Sequence, residues 1–263
     1  MKKYQLVVVG GGPGGYTAAF RAAELGMSVA IIDDNDLGGV CLNWGCIPTK
    51  SLLKNAEAMD LINTSESYGI SVKDITVDFE FIINKSVKAR QRLSRGLHHQ
   101  VKKHNIDFHA GYGTFTDKNT IIVNDTSIAA DIFIIATGSK PKTLPNLNAD
   151  HSNVVYAKDI FQMNSIPKSM TIIGAGAIGV EFAYFFNSFG TNVTLIEAEE
   201  NILPHEDKEV SQWVEKIFKK KKINVLTGTL ADKIDDEKIL ISIGVEGNSE
   251  GMGLGEMGIK FSS

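Results

Sequence analysis

Gln5-Leu6-Val7-Val8-Val9-Gly10-Gly11-Gly12-Pro13-Gly14-Gly15 is the stretch that decides the fold. Its apolar opening suits a strand buried on both faces, as strands of a parallel sheet are. A G-x-G-x-x-G turn follows. Gly10 makes the tight turn, Gly12 lets backbone approach a pyrophosphate, and Gly15 lets the next helix pack on the strand. The run to Leu25 reads as that helix, with its first N–H groups open to phosphate oxygens. Gly26 falls where a left-handed helix cap is wanted, and Val29-Ala30-Ile31-Ile32 reads as a second strand. Asp33 ends that strand, where a carboxylate can accept hydrogen bonds from ribose hydroxyls.

The same design recurs later in the chain. Met170-Thr171-Ile172-Ile173 leads into Gly174-Ala175-Gly176-Ala177-Ile178-Gly179 and a helical run to Phe189. A shift of 164 positions carries Gly10, Gly12, Gly15, Gly26 and Asp33 onto Gly174, Gly176, Gly179, Gly190 and Glu197 without a gap. A lone G-x-G-x-x-G is often an ordinary turn. Two copies, each between a strand and a helix and each followed by an acid at the expected distance, read as two dinucleotide-binding units. A module for a single nucleotide fits poorly.

Composition bounds the rest. At 263 residues the chain has room for two domains of roughly 150 residues each. With 43% hydrophobic and 22% charged residues it reads as soluble and globular. A net charge of −4 points to neither a nucleic-acid nor a membrane partner. No uncharged apolar run approaches transmembrane length, and the start Met1-Lys2-Lys3 carries no leader pattern. Two cysteines are too few for a secreted disulfide scaffold, so a cytoplasmic setting is expected. The run Lys219-Lys220-Lys221-Lys222 reads as a solvated helix C-terminus.

Those cysteines lie in Leu37-Gly38-Gly39-Val40-Cys41-Leu42-Asn43-Trp44-Gly45-Cys46-Ile47-Pro48-Thr49-Lys50. On an ideal helix, thiols five apart would be separated by roughly 7.5 Å of rise and would point apart. A bridge therefore needs an irregular stretch, which Gly38, Gly39 and Gly45 make available. The spacing is not that of zinc ligands, and no metal site is expected. On spacing alone, two buried thiols and a redox pair are both open readings.

The surrounding residues resemble the active-site signature of the pyridine nucleotide–disulfide oxidoreductases. Asn43-Trp44-Gly45-Cys46-Ile47-Pro48-Thr49-Lys50 is most similar to the dihydrolipoyl dehydrogenase branch. The resemblance covers essentially the whole chain, matched to roughly the first three fifths of the family's usual length. It implies an α/β fold of two Rossmann-like FAD/NAD(P)-binding domains, each a parallel sheet with helices and an antiparallel strand insertion. The FAD domain with the cysteine pair would span 1–145. A shortened NAD domain and the start of the return to the FAD domain would span 146–263, and the C-terminal interface domain would be absent.

Site roles follow from the same resemblance. Gly10, Gly12, Gly15 and Asp33 would bind the ADP half of FAD. Gly113, in Gly111-Tyr112-Gly113-Thr114-Phe115, would lie near the adenine. Thr137 and Gly138, in Ile134-Ile135-Ala136-Thr137-Gly138-Ser139, would return beneath the flavin. Gly174, Gly176, Gly179 and Gly244 would serve NAD, with Glu197 on its ribose, where an acid disfavours a 2′-phosphate. Glu181 stands where the first repeat has Thr17, so it lies outside the shared design. By resemblance it pairs with Lys50 beside the flavin. Asn201-Ile202-Leu203-Pro204 followed by Asp207 also matches a family pattern.

The implied reaction has dihydrolipoamide, carried on a lipoyl domain of a 2-oxo acid dehydrogenase complex, reducing a Cys41–Cys46 disulfide. Cys41 would be the interchange sulfur and Cys46 the sulfur next to the flavin. Electrons would pass through FAD to NAD⁺. Whole members of the family are homodimers, and the partner's His–Glu acid/base pair belongs to the interface domain. A chain without it is expected to lack useful dihydrolipoamide turnover alone, since a positioned base contributes about 10²–10⁴-fold. The alternatives are a non-catalytic nucleotide-binding remnant and a related disulfide reductase.

Two further expectations concern the rest of the chain. Residues 51–59 and 79–104 read as helical, with His98, His99 and His104 as surface histidines, and 114–135 reads as short strands. Val225–Thr229 is followed too soon by Ile239–Gly244 for the family's antiparallel section. Val245-Glu246-Gly247-Asn248 stands where relatives commonly have Arg-x-Pro-Asn.

Overall fold

A computed structural model describes residues 2–145, 147, 149–231, 234 and 236–260. In chain order the elements are β1 (Lys2–Val9), α1 (Pro13–Glu24), β2 (Val29–Asp33), α2 (Gly39–Asn43), α3 (Cys46–Asn63), α4 (Phe79–Lys103), β3 (Asp107–Ala110), β4 (Gly113–Asp117), β5 (Thr120–Val123) and β6 (Thr126–Ile135). They continue as β7 (Ser139–Pro141), β8 (Val154–Tyr156), α5 (Ala157–Ile160), β9 (Ser169–Ile173), α6 (Ala177–Ser188), β10 (Asn192–Ile196), α7 (Lys208–Lys220), β11 (Asn224–Leu226), β12 (Lys238–Ile241) and β13 (Val245–Gly247).

The chain forms two compact units. One comprises Met1–Cys46, Arg90–Lys140 and Glu246–Ser263, and the other Ile47–Ala89 and Pro141–Val245. This differs from a contiguous division at 145/146, because residues 47–89 pack with the second unit. The reason is apolar: Leu52 and Ala56 of α3 and Phe79, Ile82 and Ile83 of α4 join Phe182, Phe185 and Phe186 of α6 in one buried cluster.

The first unit's sheet has the order β3-β2-β1-β6-β5-β4. β1 runs parallel to β2 and β6, and β2 parallel to β3. β4, β5 and β6 form the expected antiparallel section. Val7, Val8, Ala30 and Ile31 are fully buried, as central parallel strands covered on both faces should be. β6 is lined by β1 to its end, but β5 accompanies only Thr126–Ala129. Beyond that point Ile132 is 53% exposed and Ile134 and Ile135 are 37% and 39% exposed.

The second unit's sheet has the order β11-β10-β9-β12-β8, and its described pairings are all parallel. The antiparallel insertion expected in each unit is therefore present in the first only, among the described residues. Among the described residues no helix is long and apolar enough to cross a membrane.

The repeat seen in the sequence is also a repeat of hydrogen bonds. Gly10 N–H donates to the Ile32 carbonyl at 2.7 Å, and Gly174 N–H to that of Ile196 at 2.8 Å. Gly11 N–H donates to Asp33 Oδ2, and Ala175 N–H to Glu197 Oε2 at 2.6 Å. α1 and α6 start from Gly12 and Gly176, which lack a side-chain cap, so each helix N-terminus presents bare backbone N–H groups.

The structure extends the repeat to a fourth strand that the fixed shift cannot find. Ala136 N–H, at the end of β6, donates to the Val9 carbonyl, and Ser242 N–H, after β12, donates to that of Ile173. A Cβ on Gly10 would lie 2.0 Å from the Ala136 carbonyl oxygen, and one on Gly174 would lie 2.4 Å from that of Ser242. Gly138 and Gly244 follow two residues later, both at positive φ.

The basic run at the end of α7 is not wholly solvated. Lys221 Nζ pairs with Asp60 of α3 at 2.5 Å and lies over the Tyr184 ring. Asp60 also accepts from Tyr184 Oη at 3.0 Å and Ser188 Oγ at 3.2 Å, pinning α3 to α6. Burial, with the bond to Asp60, pushes the Tyr184 phenol up to about 12. A helix end that finds a carboxylate partner on another helix keeps its cation against the surface of the unit, which a reading from composition alone misses.

Two expected outcomes follow from the turn. A Cβ at Gly15 or Gly179 would sit 1.8 or 2.0 Å from the carbonyl oxygen of Gly10 or Gly174. Gly15→Ala and Gly179→Ala should each cost about 1–3 kcal/mol in urea unfolding. Gly14→Ala meets nothing within 4 Å and should gain up to about 1 kcal/mol. Separately, burial raises the Asp33 carboxyl above its ordinary range, outweighing the N–H bonds from Gly11 and Asn35. The unfolded chain then ionises first, so Asp33 takes stability away as pH climbs from about 3.9 to its raised value. Asp33→Asn lacks that loss and should gain on the parent across this window in pH-dependent unfolding, then hold level above it.

Candidate functional site

The first unit contains a cleft of about 560 Å³. Gly10, Gly12, Pro13 and Gly14 line it from the turn, Asp33, Asp34 and Asn35 from the end of β2, and Gly111, Tyr112 and Gly113 from the start of β4. Ala136, Thr137, Gly138 and Ser139 line it from the segment after β6. Cys41, Trp44 and Cys46 complete it. A volume in this range is typical of cofactor pockets.

The contacts order these groups along the cleft. Gly111 N–H donates to the Asp33 carbonyl at 2.8 Å, which sets the Gly111–Gly113 corner beside the carboxylate. The middle is the bare N-terminus of α1. Gly39, at the start of α2, closes on Gly12: a Cβ on Gly39 would lie 2.7 Å from Gly12 Cα. The cysteine helix thus leans directly on the turn. A cleft with a carboxylate near one corner, backbone N–H groups in the middle and two thiols beyond suits an elongated dinucleotide with a central diphosphate.

The irregular stretch between the cysteines is local and specific. α2 carries Cys41 and ends at Asn43, and α3 opens with Cys46. Gly45 makes the link possible, because a Cβ there would lie 2.8 Å from the Val40 carbonyl oxygen and 3.1 Å from Cys41 Cα. The chain doubles back against the turn that bears Cys41. Cys41 is half-buried and Cys46 exposed.

Of the expected FAD-site residues, Gly10, Gly12, Asp33, Gly113, Thr137 and Gly138 line this cleft together with both cysteines. Gly15 does not line it; its part is the close packing of α1 on the strand end. Lys50 does not line it either. It lies four residues after Cys46, on the same face of α3, and its Nζ meets Glu181 Oε1 at 2.5 Å. The expected pair is formed, yet Lys50 is 62% exposed and Glu181 27%. Such an exposed pair contributes little to stability.

In the second unit Gly174, Gly176 and Gly179 form the matching turn, and buried Glu197 accepts from Ala175 N–H and, at 3.1 Å, from Glu199 N–H. Glu181 sits in the second turn of α6. The Gly244 carbonyl accepts from Lys142 N–H at 3.0 Å. These groups share the edge formed by the ends of β9, β10 and β12, where open α/β sheets bind ligands.

The sequence reading missed several cleft residues. Tyr112, Asn35, Asn248 and Met252 all line it. Asn248 N–H donates to the Gly138 carbonyl at 3.0 Å, and Met252 is buried against β4. The only signal for Asn248 was its place at the end of a four-residue segment otherwise unlike the family's. Trp44 served only as a motif letter, although it lines the cleft together with both cysteines. His98 is not a plain surface histidine, since its Nε2 lies 2.6 Å from Asp36 Oδ1.

The comparisons agree with this geometry. Residues 4–260 match the model of the pyridine nucleotide-disulphide oxidoreductase family. The chain is similar to the dihydrolipoyl dehydrogenase of Mycobacterium bovis, with 40% identity over all of this chain and 62% of the relative. It is also similar to that of Zymomonas mobilis, with 38% identity over 98% of this chain and 61% of the relative. That of Acholeplasma laidlawii is 36% identical over 95% of this chain and 81% of the relative. The alignment to the Mycobacterium bovis protein runs to 288 positions against 263 residues here, so that relative carries internal residues this chain lacks. An HOCl-induced flavoprotein disulfide reductase of Escherichia coli, solved as a Cu(II) complex, superimposes with a TM-score of 0.85 at 25% identity, over all of this chain and 61% of that one. The chain spans about three fifths of the length of the first of these relatives. With nearly the whole chain matched by that family's model, the chain belongs to the pyridine nucleotide-disulphide oxidoreductase family.

Proposed function

We propose that this chain binds FAD in its first unit and NAD in its second, as part of a flavoprotein oxidoreductase of the dihydrolipoyl dehydrogenase type. The observation that carries this reading is the single cleft lined by Gly12, Asp33, Cys41 and Cys46. FAD, when bound, supplies two-electron acceptance from a dithiol and hydride transfer to a nicotinamide. The chain's own groups do the rest. Gly10, Gly12 and the N-terminus of α1 receive the diphosphate, with Gly15 packed beneath them. Asp33 takes the ribose hydroxyls, Gly113 the adenine, and Thr137 and Gly138 the flavin side.

In the thiol chemistry, a thiolate of dihydrolipoamide attacks the Cys41 sulfur of the oxidised pair. The Cys41–Cys46 bond breaks and a mixed disulfide forms, with Cys46 leaving as thiolate. The substrate's second thiol then displaces Cys41, which releases lipoamide and leaves both cysteines reduced. Lys50, four residues after Cys46 in sequence, holds a charge pair with Glu181. Gly174, Gly176, Gly179 and Gly244 receive NAD, and Glu197 favours it over NADP by repelling a 2′-phosphate.

The reading extends to a cytoplasmic protein that takes its substrate from the lipoyl domain of a 2-oxo acid dehydrogenase complex, with the homodimer belonging to whole members of the family rather than to this shortened chain. Kinship in fold with a disulfide reductase supports the shared scaffold. Trp44 within the cysteine motif and the acid at Glu197 favour the dihydrolipoyl dehydrogenase type over such a reductase. A nucleotide-binding remnant without redox function is the competing outcome of the test below.

The purified chain, incubated with FAD and passed over a desalting column, should retain a flavin absorbance that bleaches with NADH. In a Trp213→Phe background Trp44 is the sole indole, and FAD should lower its emission. Asp33→Ala should weaken FAD about tenfold or more through loss of a charged hydrogen-bond acceptor. Retained flavin that NADH cannot bleach would support the remnant, and no retained flavin would overturn the proposal.

A further inference from the structure

The helix that carries Cys41 cannot hold its own position. α2 is five residues long and starts from Gly38 without a side-chain cap. A helix this short is unstable without tertiary anchors. One anchor is the Gly39–Gly12 contact described above. Gly38 N–H also donates to the Gly11 carbonyl at 2.8 Å, and a further anchor, which nothing in the nucleotide-binding design accounts for, runs through Asp36, three residues ahead of α2.

Asp36 is tied at both its side chain and its backbone. Oδ2 accepts from Ser94 Oγ at 2.6 Å, and Oδ1 lies 2.6 Å from His98 Nε2. Ser94 and His98 are one turn apart on α4 and so share a face. Ser94 is buried, and the His98 ring packs edge-on against Phe108 of β3 at 5.9 Å. On the backbone side, the Asp36 carbonyl accepts from Asn43 Nδ2 at 2.9 Å. Asn43 is buried and is the last residue of α2. The chain of contacts therefore runs from the 25-residue helix α4, through Asp36, to the end of the helix that bears Cys41.

The geometry points to Asp36, clamped by Ser94 and His98, as a positioning residue that sets the pose of Cys41 relative to Cys46. Partial burial raises the Asp36 carboxyl, but the bonds from Ser94 and His98 outweigh that and hold it below its ordinary range, so it meets these donors as a carboxylate. Bonds to a charged acceptor are the stronger kind. The inference rests on the redox reading of the cysteine pair, since a structural pair would need no fixed pose.

The test reads the two thiols separately. The native chain, reduced with a phosphine, is alkylated with iodoacetamide, and the rates at Cys41 and Cys46 are followed by peptide mass spectrometry. Asp36→Ala, and Ser94→Ala combined with His98→Leu, should each change the Cys41-to-Cys46 rate ratio by about tenfold, the equivalent of one charged hydrogen bond. His98→Gln with Ser94 intact keeps an N–H donor and should restore the parent ratio. Trp44 emission in the Trp213→Phe background should shift in the first two variants and not in the third. An unchanged ratio, or an equal rise at both thiols with a lowered melting midpoint, would overturn the proposal. Should Asp36→Ala fail to fold, the pair of substitutions on α4 carries the test. Because neither readout needs flavin, a chain that binds no FAD yet shows the altered ratio would uphold the latch while sinking the flavin assignment.

Discussion

A carboxylate at the end of each second strand holds a backbone N–H of the preceding turn, Asp33 on Gly11 and Glu197 on Ala175. The rest of the architecture follows from that bond. It fixes the turn between strand and helix, and with the turn fixed the helix N-terminus is aimed along the sheet edge with its N–H groups unspent. An acid held this way is already partly committed before any ligand arrives. Each acid also accepts a second backbone N–H, from Asn35 and from Glu199, so the same group ties the turn to the residues that follow the strand. The cost is visible at Asp33, whose ionised form the buried setting disfavours.

The cysteine segment depends on that turn in its own way. Two backbone-on-backbone contacts, Gly39 against Gly12 and Gly45 against the Val40–Cys41 turn, leave no room for side chains. The motif's glycines are therefore packing requirements, and its polar letters are fasteners: Asn43 ties the end of α2 back to the Asp36 carbonyl. On the far side, Lys50 and Glu181 meet while Asp60 gathers Tyr184, Ser188 and Lys221, so α3 is held to α6 at two levels.

Much of this was legible in the sequence because it is local and periodic. The doubled glycine turns, the acids at their fixed distance, the cysteine segment and the strand ladder ending at Ile135 all lie where the pattern puts them. What was not legible depends on partners distant in sequence. Ser94 and His98 share a helix face, but only folding shows that Asp36 lies opposite. Lys221 sits in a run of four lysines that composition assigns to solvent, and Asp60, its partner, precedes it by 161 positions. The equivalence of Gly138 and Gly244 was hidden because the two halves differ in length between their second and fourth strands. The association of residues 47–89 with the second unit rests on phenylalanines of α6, whose partners no periodicity reveals.

The outer half of β6 has a consequence for handling the molecule. From Ile132 onward this strand shows one row of backbone donors and acceptors without a neighbouring strand among the described residues, flanked by half-exposed isoleucines. An apolar strand with an open edge is a template on which another extended chain can form a ladder. A charged residue such as lysine at position 132 would blunt that template without touching either glycine turn.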